Sequence, residues 1–470
     1  MTEALSRRDS DPRVTKMGRL FGTDGIRGIV GDKLTFALAR YVGRALVHAL
    51  PKGEDGKSRV LIGMDTRLSS DTLADSLMQG VCDAGGDAVI IGVCSTPAVA
   101  YLVTKDNFDA GVMISASHNP WDYNGIKIFG SDGFKLSDAL EERIEEMILD
   151  GDTEALRADR MGTLQYDSDM VDGYVEHLIS SCEMSLSGLR IGIDCANGSA
   201  AETAERIFTS LGAECHMLGD KPDGMNINEN CGSTHIEGLR TLVREKGLDA
   251  GVAFDGDADR CLAIDEMGRD VDGDFILAIL AKRMKEAEVL DGNTVVGTVA
   301  SNLGLKKFCE ASGIDFATTK VGDRYVLELM NENGYALGGE QSGHIIMRRL
   351  CTTGDGQLTA IMLLSCLKES GKSLSALAAI MKKYPQYTIN VGADAEEKKL
   401  LKTDEVIMKH ISDGERAMGD SGRILIRPSG TEPLIRIMTE GEDNRLAEEV
   451  CKKLASDIEA RLHELKRSVR

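Results

Sequence analysis

The 470-residue chain has a single tryptophan, only eight prolines, and aromatic residues at 4%. Such scarcity argues against an all-β sandwich and against surfaces that stack nucleic-acid bases. Basic charge is not in excess either. Lys and Arg number 55 against 76 Asp and Glu, for a formal net charge of −21. A protein this acidic is not expected to bind nucleic acid or anionic membrane over a broad face, although local basic pockets for small anions remain open. The eleven cysteines contain no CxxC pair, so neither a zinc knuckle nor a thioredoxin-like motif is indicated. Scattered singly, they read as small buried residues of a reducing compartment. No run of about 18 apolar residues suggests a membrane span, and the polar stretch Met1–Lys16 lacks the apolar segment of a secretory signal. A cytoplasmic protein is expected.

Hydrophobic residues make up 42% and charged residues 28%, as in ordinary globular chains. The length allows several cores without disulfides, in roughly three or four domains. Short apolar runs at Arg59–Met64, Leu189–Ile193 and Asn293–Val299 each lead through a helix-compatible segment to a second strand. Those second strands are Gly86–Val93, Gly212–Leu218 and Gly313–Lys320. A further helix then leads to third strands at Phe108–Ser115, Leu248–Asp255 and Gly334–Glu340. Three copies of one α/β domain with mixed, largely parallel sheets are expected. The pattern then changes. Strands at Tyr387–Val391, Gly422–Arg427 and Leu434–Glu440, with helices at Ala395–Asp413 and Asn444–Leu465, suggest a fourth, α+β domain. The expected divisions are 1–16 (a disordered extension), 17–160, 161–264, 265–380 and 381–470.

The residues just beyond each third strand carry the chemistry, because ligands of parallel α/β sheets gather outside the carboxyl ends of the strands. The first strand leads to SASHNP (Ser115–Pro120), the second to DGDADR (Asp255–Arg260), the third to GEQSGH at Gly339–His344. Asp255, Asp257 and Asp259 alternate with small residues, so an extended strand end would send all three carboxylates one way. Crowded oxygen ligands call for Mg²⁺ or Ca²⁺. An EF-hand would need Gly where Arg260 stands, and a solvated acidic turn without metal is the plainer alternative. In SASHNP an exposed serine beside His118 could be a nucleophile or carry a phosphoryl group, or simply form a turn. Lys127 could supply a cation or shuttle a proton. Arg427, Ser429, Gly430 and Thr431 form a compact anion nest, with Arg436 a further cation, unless the segment is a plain Pro-Gly turn. Arg27, in FGTDGIRG (Phe21–Gly28), is a weaker phosphate candidate.

Together these motifs, in this order, resemble the α-D-phosphohexomutase superfamily over nearly the whole chain from Met17. Within it, SASHNP, GEQSGH and PDGMNINENCGSTH (Pro222–His235) look like the branch acting on glucosamine phosphates. The resemblance implies four domains around a cleft, the last similar to the TATA-binding-protein fold. It implies that Ser117 is the phosphoserine, and that phosphorylated Ser117, Asp255, Asp257 and Asp259 hold Mg²⁺. Glu340 and Ser342 would grip sugar hydroxyls. Arg427, Ser429, Gly430 and Thr431 would hold the phosphate that does not react. Arg27, His118, Lys127, Arg260 and His344 would surround the phosphoryl group in transfer. The implied reaction interconverts glucosamine 6-phosphate and glucosamine 1-phosphate through an activating glucosamine 1,6-bisphosphate intermediate, feeding UDP-N-acetylglucosamine synthesis. The implied partner is a phosphorylated amino sugar, and a homodimer is compatible with the sequence. The alternatives are a sister mutase acting on mannose or glucose phosphates, a dehalogenase-type phosphatase with Asp255 as nucleophile, and an inactive sugar-phosphate-binding protein. Two departures stand out: residues 1–16 precede the usual start, and Ala258 stands where some relatives carry Gly, a change expected to be harmless.

Overall fold

A computed structural model describes residues 19–22, 24–51, 56–429 and 433–468. The extension 1–16 lies outside them. The chain divides into two compact units. One runs to Cys261 and also takes in Leu350–Ile361; the other comprises Leu262–Arg349 and the chain from Met362 onward.

The threefold repeat is present. In the first unit, Arg59–Met64 lies between Asp87–Val93 and Ala110–Ile114, all parallel. Arg190–Asp194 lies in the same way between Glu214–Leu218 and Ala250–Phe254. In the second unit, Thr294–Thr298 lies between Asp315–Thr319 and Leu337–Gly339. Each copy thus orders its strands second, first, third. Their burial explains the near-continuous apolar runs in sequence: Val60, Leu61 and Ile62 are inaccessible to solvent, as are Ile191, Ile193, Val295 and Val296. The third strand of the last copy is shorter than expected, three residues instead of seven. Gly334 ends the preceding helix in a left-handed conformation (φ 73°) and is not part of the strand.

Return strands run antiparallel to the third strand in two of the copies. Tyr123–Gly130 pairs with Ala110–Ile114 in the first, and Ile345–Met347 pairs with Leu337–Gly339 in the last. Ile26–Ile29 pairs antiparallel with Tyr123–Gly130 at the outer edge. Lys127 therefore sits on a strand.

The C-terminal sheet is antiparallel, with Leu434–Gly441 between Gln386–Gly392 and Gly422–Pro428. The expected single helix Ala395–Asp413 is two, Ala395–Leu400 and Glu405–Met418. The break has a local cause: Asp404 leaves the helical conformation and its side chain accepts from Ile407 N, capping the second helix. Helix Asn444–Ser468 buries Ala447, Cys451, Leu454, Ile458 and Leu462, a stripe at helical spacing, in one core with Ile435 and Ile437. All eleven cysteines are free. Among the described residues no helix is long and apolar enough to cross a membrane.

Leu454 is almost fully buried in this stripe. Leu454→Ala should cost about 2–5 kcal/mol, visible as a lower thermal midpoint in calorimetry; an unchanged midpoint would mean that the helix does not bear on this core.

Candidate active site

The first unit gathers Ser117, the three aspartates, Lys127, Arg27, His118 and Arg260. Strand Ala110–Ile114 ends one residue before Ser115, whose hydroxyl donates to Asp65 Oδ2 at 2.6 Å and accepts from Ser117 N at 3.0 Å. Ser115 is thereby committed to holding the loop. Ser117 stands in the left-handed region (φ 53°), rare for a residue with a side chain. Its hydroxyl donates to Asp255 Oδ2 at 2.6 Å and lies 3.4 Å from His118 Nδ1. Sequence reasoning expected an exposed serine. Ser117 is fully buried instead, because the DGDADR loop and the loop bearing Asn228 close over it.

Strand Ala250–Phe254 stops before Asp255, so the three aspartates lie on a turn and not on an extended strand end. Ala258, left-handed at φ 54°, closes that turn, and Ala258 N donates to Asp255 O. A side chain in that region costs about 1–2 kcal/mol relative to glycine, so Ala258 is strained where it was expected to be harmless. Gly356 N braces the turn by donating to Ala258 O at 2.9 Å. The preceding Asp355, pushed up to about 6 by burial, accepts from Tyr174 Oη at 2.9 Å.

One ligand oxygen from each aspartate lies within 4.8 Å of the others. Burial, then Asp259 and Asp257, push the Asp255 carboxyl up to about 8. Asp257 Oδ1 is buried with no hydrogen-bond partner among the described residues. Three hard oxygen donors, mutual repulsion and an unsatisfied ligand atom fit Mg²⁺.

Lys127 supplies the positive charge that the chain itself carries there. Its Nζ donates to Asp257 Oδ2 at 2.6 Å and Asp259 Oδ2 at 3.2 Å, and pairs with Asp24 at 3.2 Å. Burial opposes that charge, but Asp24, Asp257 and Asp259 outweigh it and hold the ammonium above the ordinary lysine range. Asp24, which sequence reasoning passed over in favour of Arg27, is ion-paired to Arg27, Lys127 and Lys135. Desolvation opposes its charge too, yet those three cations keep it well below the usual carboxylate range. Arg260 Nη1 lies 3.3 Å from His118 Nδ1. Desolvation, then Arg260 and Arg27, lower His118 to about 4, so the imidazole is neutral at pH 7. Thr96, at the start of a helix, donates its hydroxyl to Asp257 Oδ2 at 2.6 Å. No motif marked Thr96; its place beyond strand Asp87–Val93 was the available signal.

The second unit holds Glu340, Ser342, His344, Arg427, Ser429 and Arg436. Glu340 accepts from Gly322 N at 2.9 Å, and Ser342 is exposed. His344 is buried 3.6 Å from Asp323. In the antiparallel hairpin Arg427 is registered directly against Arg436. Burial, then Arg436, lower the Arg427 guanidinium from its ordinary value, with Glu340 opposing. Four residues back on the same strand the register pairs Arg423 with Glu440, and those ions meet at 2.6 Å. One rung pairs opposite charges and the other sets two arginines side by side, an arrangement that suits an anion. Ser429 N donates to Leu434 O and its carbonyl accepts from Lys398 Nζ at 2.6 Å. Gly430 and Thr431 lie outside the described residues.

The sequence matches all four domains of the phosphoglucomutase/phosphomannomutase family. The alpha/beta/alpha domains I, II and III match residues 18–155, 172–268 and 272–384, and the C-terminal domain matches 389–456. The chain belongs to this family. A phosphoglucosamine mutase of Acetivibrio thermocellus is 49% identical over 449 residues, covering 95% of this chain and all of the relative. Another, from Caldicellulosiruptor bescii, is 48% identical over 454 residues, with 95% and 100% covered. Among solved structures, a phosphoglucomutase/phosphomannomutase family protein of Burkholderia thailandensis superposes with a TM-score of 0.78 at 24% identity, over 94% of this chain and 98% of the other. An Aspergillus fumigatus N-acetylphosphoglucosamine mutase in complex with GlcNAc-6P and magnesium gives 0.63 at 16%, over 94% and 96%. These likenesses make the chain an isomerase of the phosphohexomutase family and leave the dehalogenase-type phosphatase without support.

The two rungs of the C-terminal hairpin should separate function from stability. Removing a charge-assisted contact to phosphate is worth about 1.5–3 kcal/mol, so Arg427→Ala should lower kcat/KM about ten- to hundredfold without lowering the thermal midpoint. Arg423→Ala leaves buried Glu440 without its ion partner, with hydrogen bonds only from Leu303 N and Gln386 Nε2, and should lower the midpoint. The reverse pattern would make Arg427 a structural residue.

Proposed function

We propose that the chain interconverts glucosamine 6-phosphate and glucosamine 1-phosphate, with Ser117 as the residue that carries the phosphoryl group. The carrying observation is the Ser117 hydroxyl, set 2.6 Å from the aspartate turn in a strained left-handed residue. Full-length likeness to phosphoglucosamine mutases supports the choice of sugar.

A phosphoryl group on Ser117 Oγ would replace a hydrogen-bond donor to Asp255 with anionic oxygens. Beside three carboxylates those oxygens require positive charge. Lys127 and Arg260 supply part of it, and Asp255, Asp257 and Asp259 would hold Mg²⁺, which when bound neutralises and polarises the phosphoryl group. Transfer to the sugar breaks the P–Oγ bond as the sugar oxygen forms its own bond to phosphorus. The sugar hydroxyl gives up a proton and Ser117 Oγ regains one. His118, neutral and 3.4 Å from Ser117 Oγ, lies within reach of a hydrogen bond to it, and charged Lys127 acts as a cation. The product of this half-reaction is glucosamine 1,6-bisphosphate. Return of its other phosphoryl group to Ser117 completes the isomerisation. Arg427 and Arg436 in the C-terminal hairpin suit the phosphate that does not react, and binding energy spent there orients the reacting end. Glu340 and Ser342 suit the sugar hydroxyls.

Phosphopeptide mapping coupled to the mutase assay tests this reading. Phosphate should map to Ser117, and Ser117→Ala should abolish turnover while the fold persists. Phosphate on another residue, or a Ser117→Ala variant with near-wild-type turnover, would overturn it. Comparing kcat/KM on glucosamine, glucose and mannose 6-phosphates checks the sugar, with glucosamine expected to lead. Chelation should stop turnover and added Mg²⁺ should restore it; full activity in excess chelator would remove the metal.

A further inference from the structure

Two buried side chains near Ser117 hydrogen-bond neither to the aspartates of the turn nor to any side chain given a role in the reaction. Arg67 has a completely buried side chain. A guanidinium has five N–H groups, and all five are used. Nε donates to Asp65 Oδ2 at 2.8 Å. Nη1 donates to the carbonyls of Pro120 and, at 3.1 Å, Tyr123. Nη2 donates to the carbonyls of Ser117 and Asn119, each at 2.9 Å. Burying a charge is costly. Here one carboxylate offsets it, and the other four bonds go to main-chain carbonyls of the loop that carries Ser117 and of the first residue of the strand that follows it.

Asn228 lies in the Pro222–His235 stretch, to which the reaction gives no role. Its Nδ2 donates to the same two carbonyls, Ser117 O at 2.9 Å and Asn119 O at 3.1 Å. The loop that presents it is itself anchored. Asn228 N donates to Ala196 O, Gly232 N to Asp194 Oδ2 at 2.8 Å, and Ser233 N to Phe254 O. Asp65 directly follows the first strand of its repeat and Asp194 ends that of its own, so an aspartate at the carboxyl end of a first strand supports each half of the clamp. The aspartate turn closes the third side. A Cβ on Gly256 would fall 2.5 Å from Ser117 O and 3.0 Å from Asn228 Nδ2, so only glycine lets that turn lie against the carbonyl.

We propose that Arg67 and Asn228 are positioning residues for phosphoryl transfer: by gripping the Ser117 and Asn119 carbonyls they hold Ser117 in the left-handed conformation that aims Oγ at Asp255. An unclamped serine loop would relax toward the ordinary backbone regions, favoured by about 1–2 kcal/mol, and rotate Oγ away from the aspartate turn. The inference rests on Ser117 as the phosphoryl carrier.

The test uses the full-length phosphorylated protein, with phosphoserine stoichiometry read from intact mass. Asn228 Oδ1 makes no hydrogen bond among the described residues, so Asn228→Asp and Asn228→Leu both remove the two donations while keeping the side chain's branched shape. One adds charge and the other does not. Arg67→Lys keeps the charge beside Asp65 but loses the fork. For both Asn228 variants, kcat per phosphorylated molecule should fall about 10- to 100-fold, the scale of a misplaced reacting group. KM for the sugar phosphate should stay within about twofold, because groups that bind the sugar are untouched. A fall confined to Asn228→Asp would be a charge effect and would overturn the clamp. So would wild-type kcat in Asn228→Leu and Arg67→Lys, or a loss that followed the folded fraction alone. Ser117→Ala is run alongside. If it is inactive while the clamp variants are not, only this inference fails; if it is active, the assignment of Ser117 fails first.

Discussion

Three carboxylates cannot share a buried turn unless the surroundings supply positive charge, and much of the first unit is arranged around that demand. Lys127 meets part of it, which requires a strand running back antiparallel to the one that ends at the serine loop. The same strand pairs with Ile26–Ile29, bringing Arg27 and Asp24 to the cluster. Asp24 in turn keeps four nearby cations, Arg27, Lys127, Lys135 and Arg260, from facing each other unscreened. The balance still falls short of neutral: Asp255 remains pushed up and one Asp257 oxygen has no partner among the described residues.

The second unit shows the opposite sign of the same strategy. Its C-terminal hairpin neutralises one rung, Arg423 with Glu440, and leaves Arg427 against Arg436. Register alone decides this, because a slip of one residue in either strand would turn that strand's arginine to the other face. In a protein with a net charge of −21, two arginines thus stand side by side on one hairpin, while three aspartates crowd one turn of the first unit.

The repeat was readable from the chain because parallel strands buried on both faces leave apolar runs, and the motifs were readable because each stands at a strand end. Ser117, the aspartates, Arg427 and Arg436 were singled out from motifs local in sequence and from the family resemblance those motifs carry. Asp24, Arg67 and Asn228 were not, since their meaning lies in contacts with distant residues: Asn228 meets Ser117 across 111 positions and Arg67 across 50. Lys127 was named, but the strand that carries it was not, and so neither was its contact with Asp257. Period-two spacing suggested an extended end for the aspartates, whereas left-handed Ala258 folds them into a turn. The helix expected across Ala395–Asp413 divides at Asp404, because an aspartate that looks helix-compatible by composition serves better as a cap.

The first unit is not continuous in the chain: Leu350–Ile361 belongs to it, although the second unit begins at Leu262. That short segment brings Asp355 to Tyr174, Gln357 to Thr203 and Gly356 to Ala258 O. A gene fragment ending near residue 261 would therefore encode the serine and aspartate loops without their brace. Tyr174 and Thr203 would lose their buried partners, and the aspartate turn would lose a hydrogen bond at its strained residue. Dissecting the protein into independently expressed halves calls for two joints, or for supplying Leu350–Ile361 as a separate peptide. A ribosome making this chain likewise cannot complete the first unit until Leu262–Arg349 of the second has been added, so vectorial synthesis delays the final bracing of the aspartate turn until late in translation.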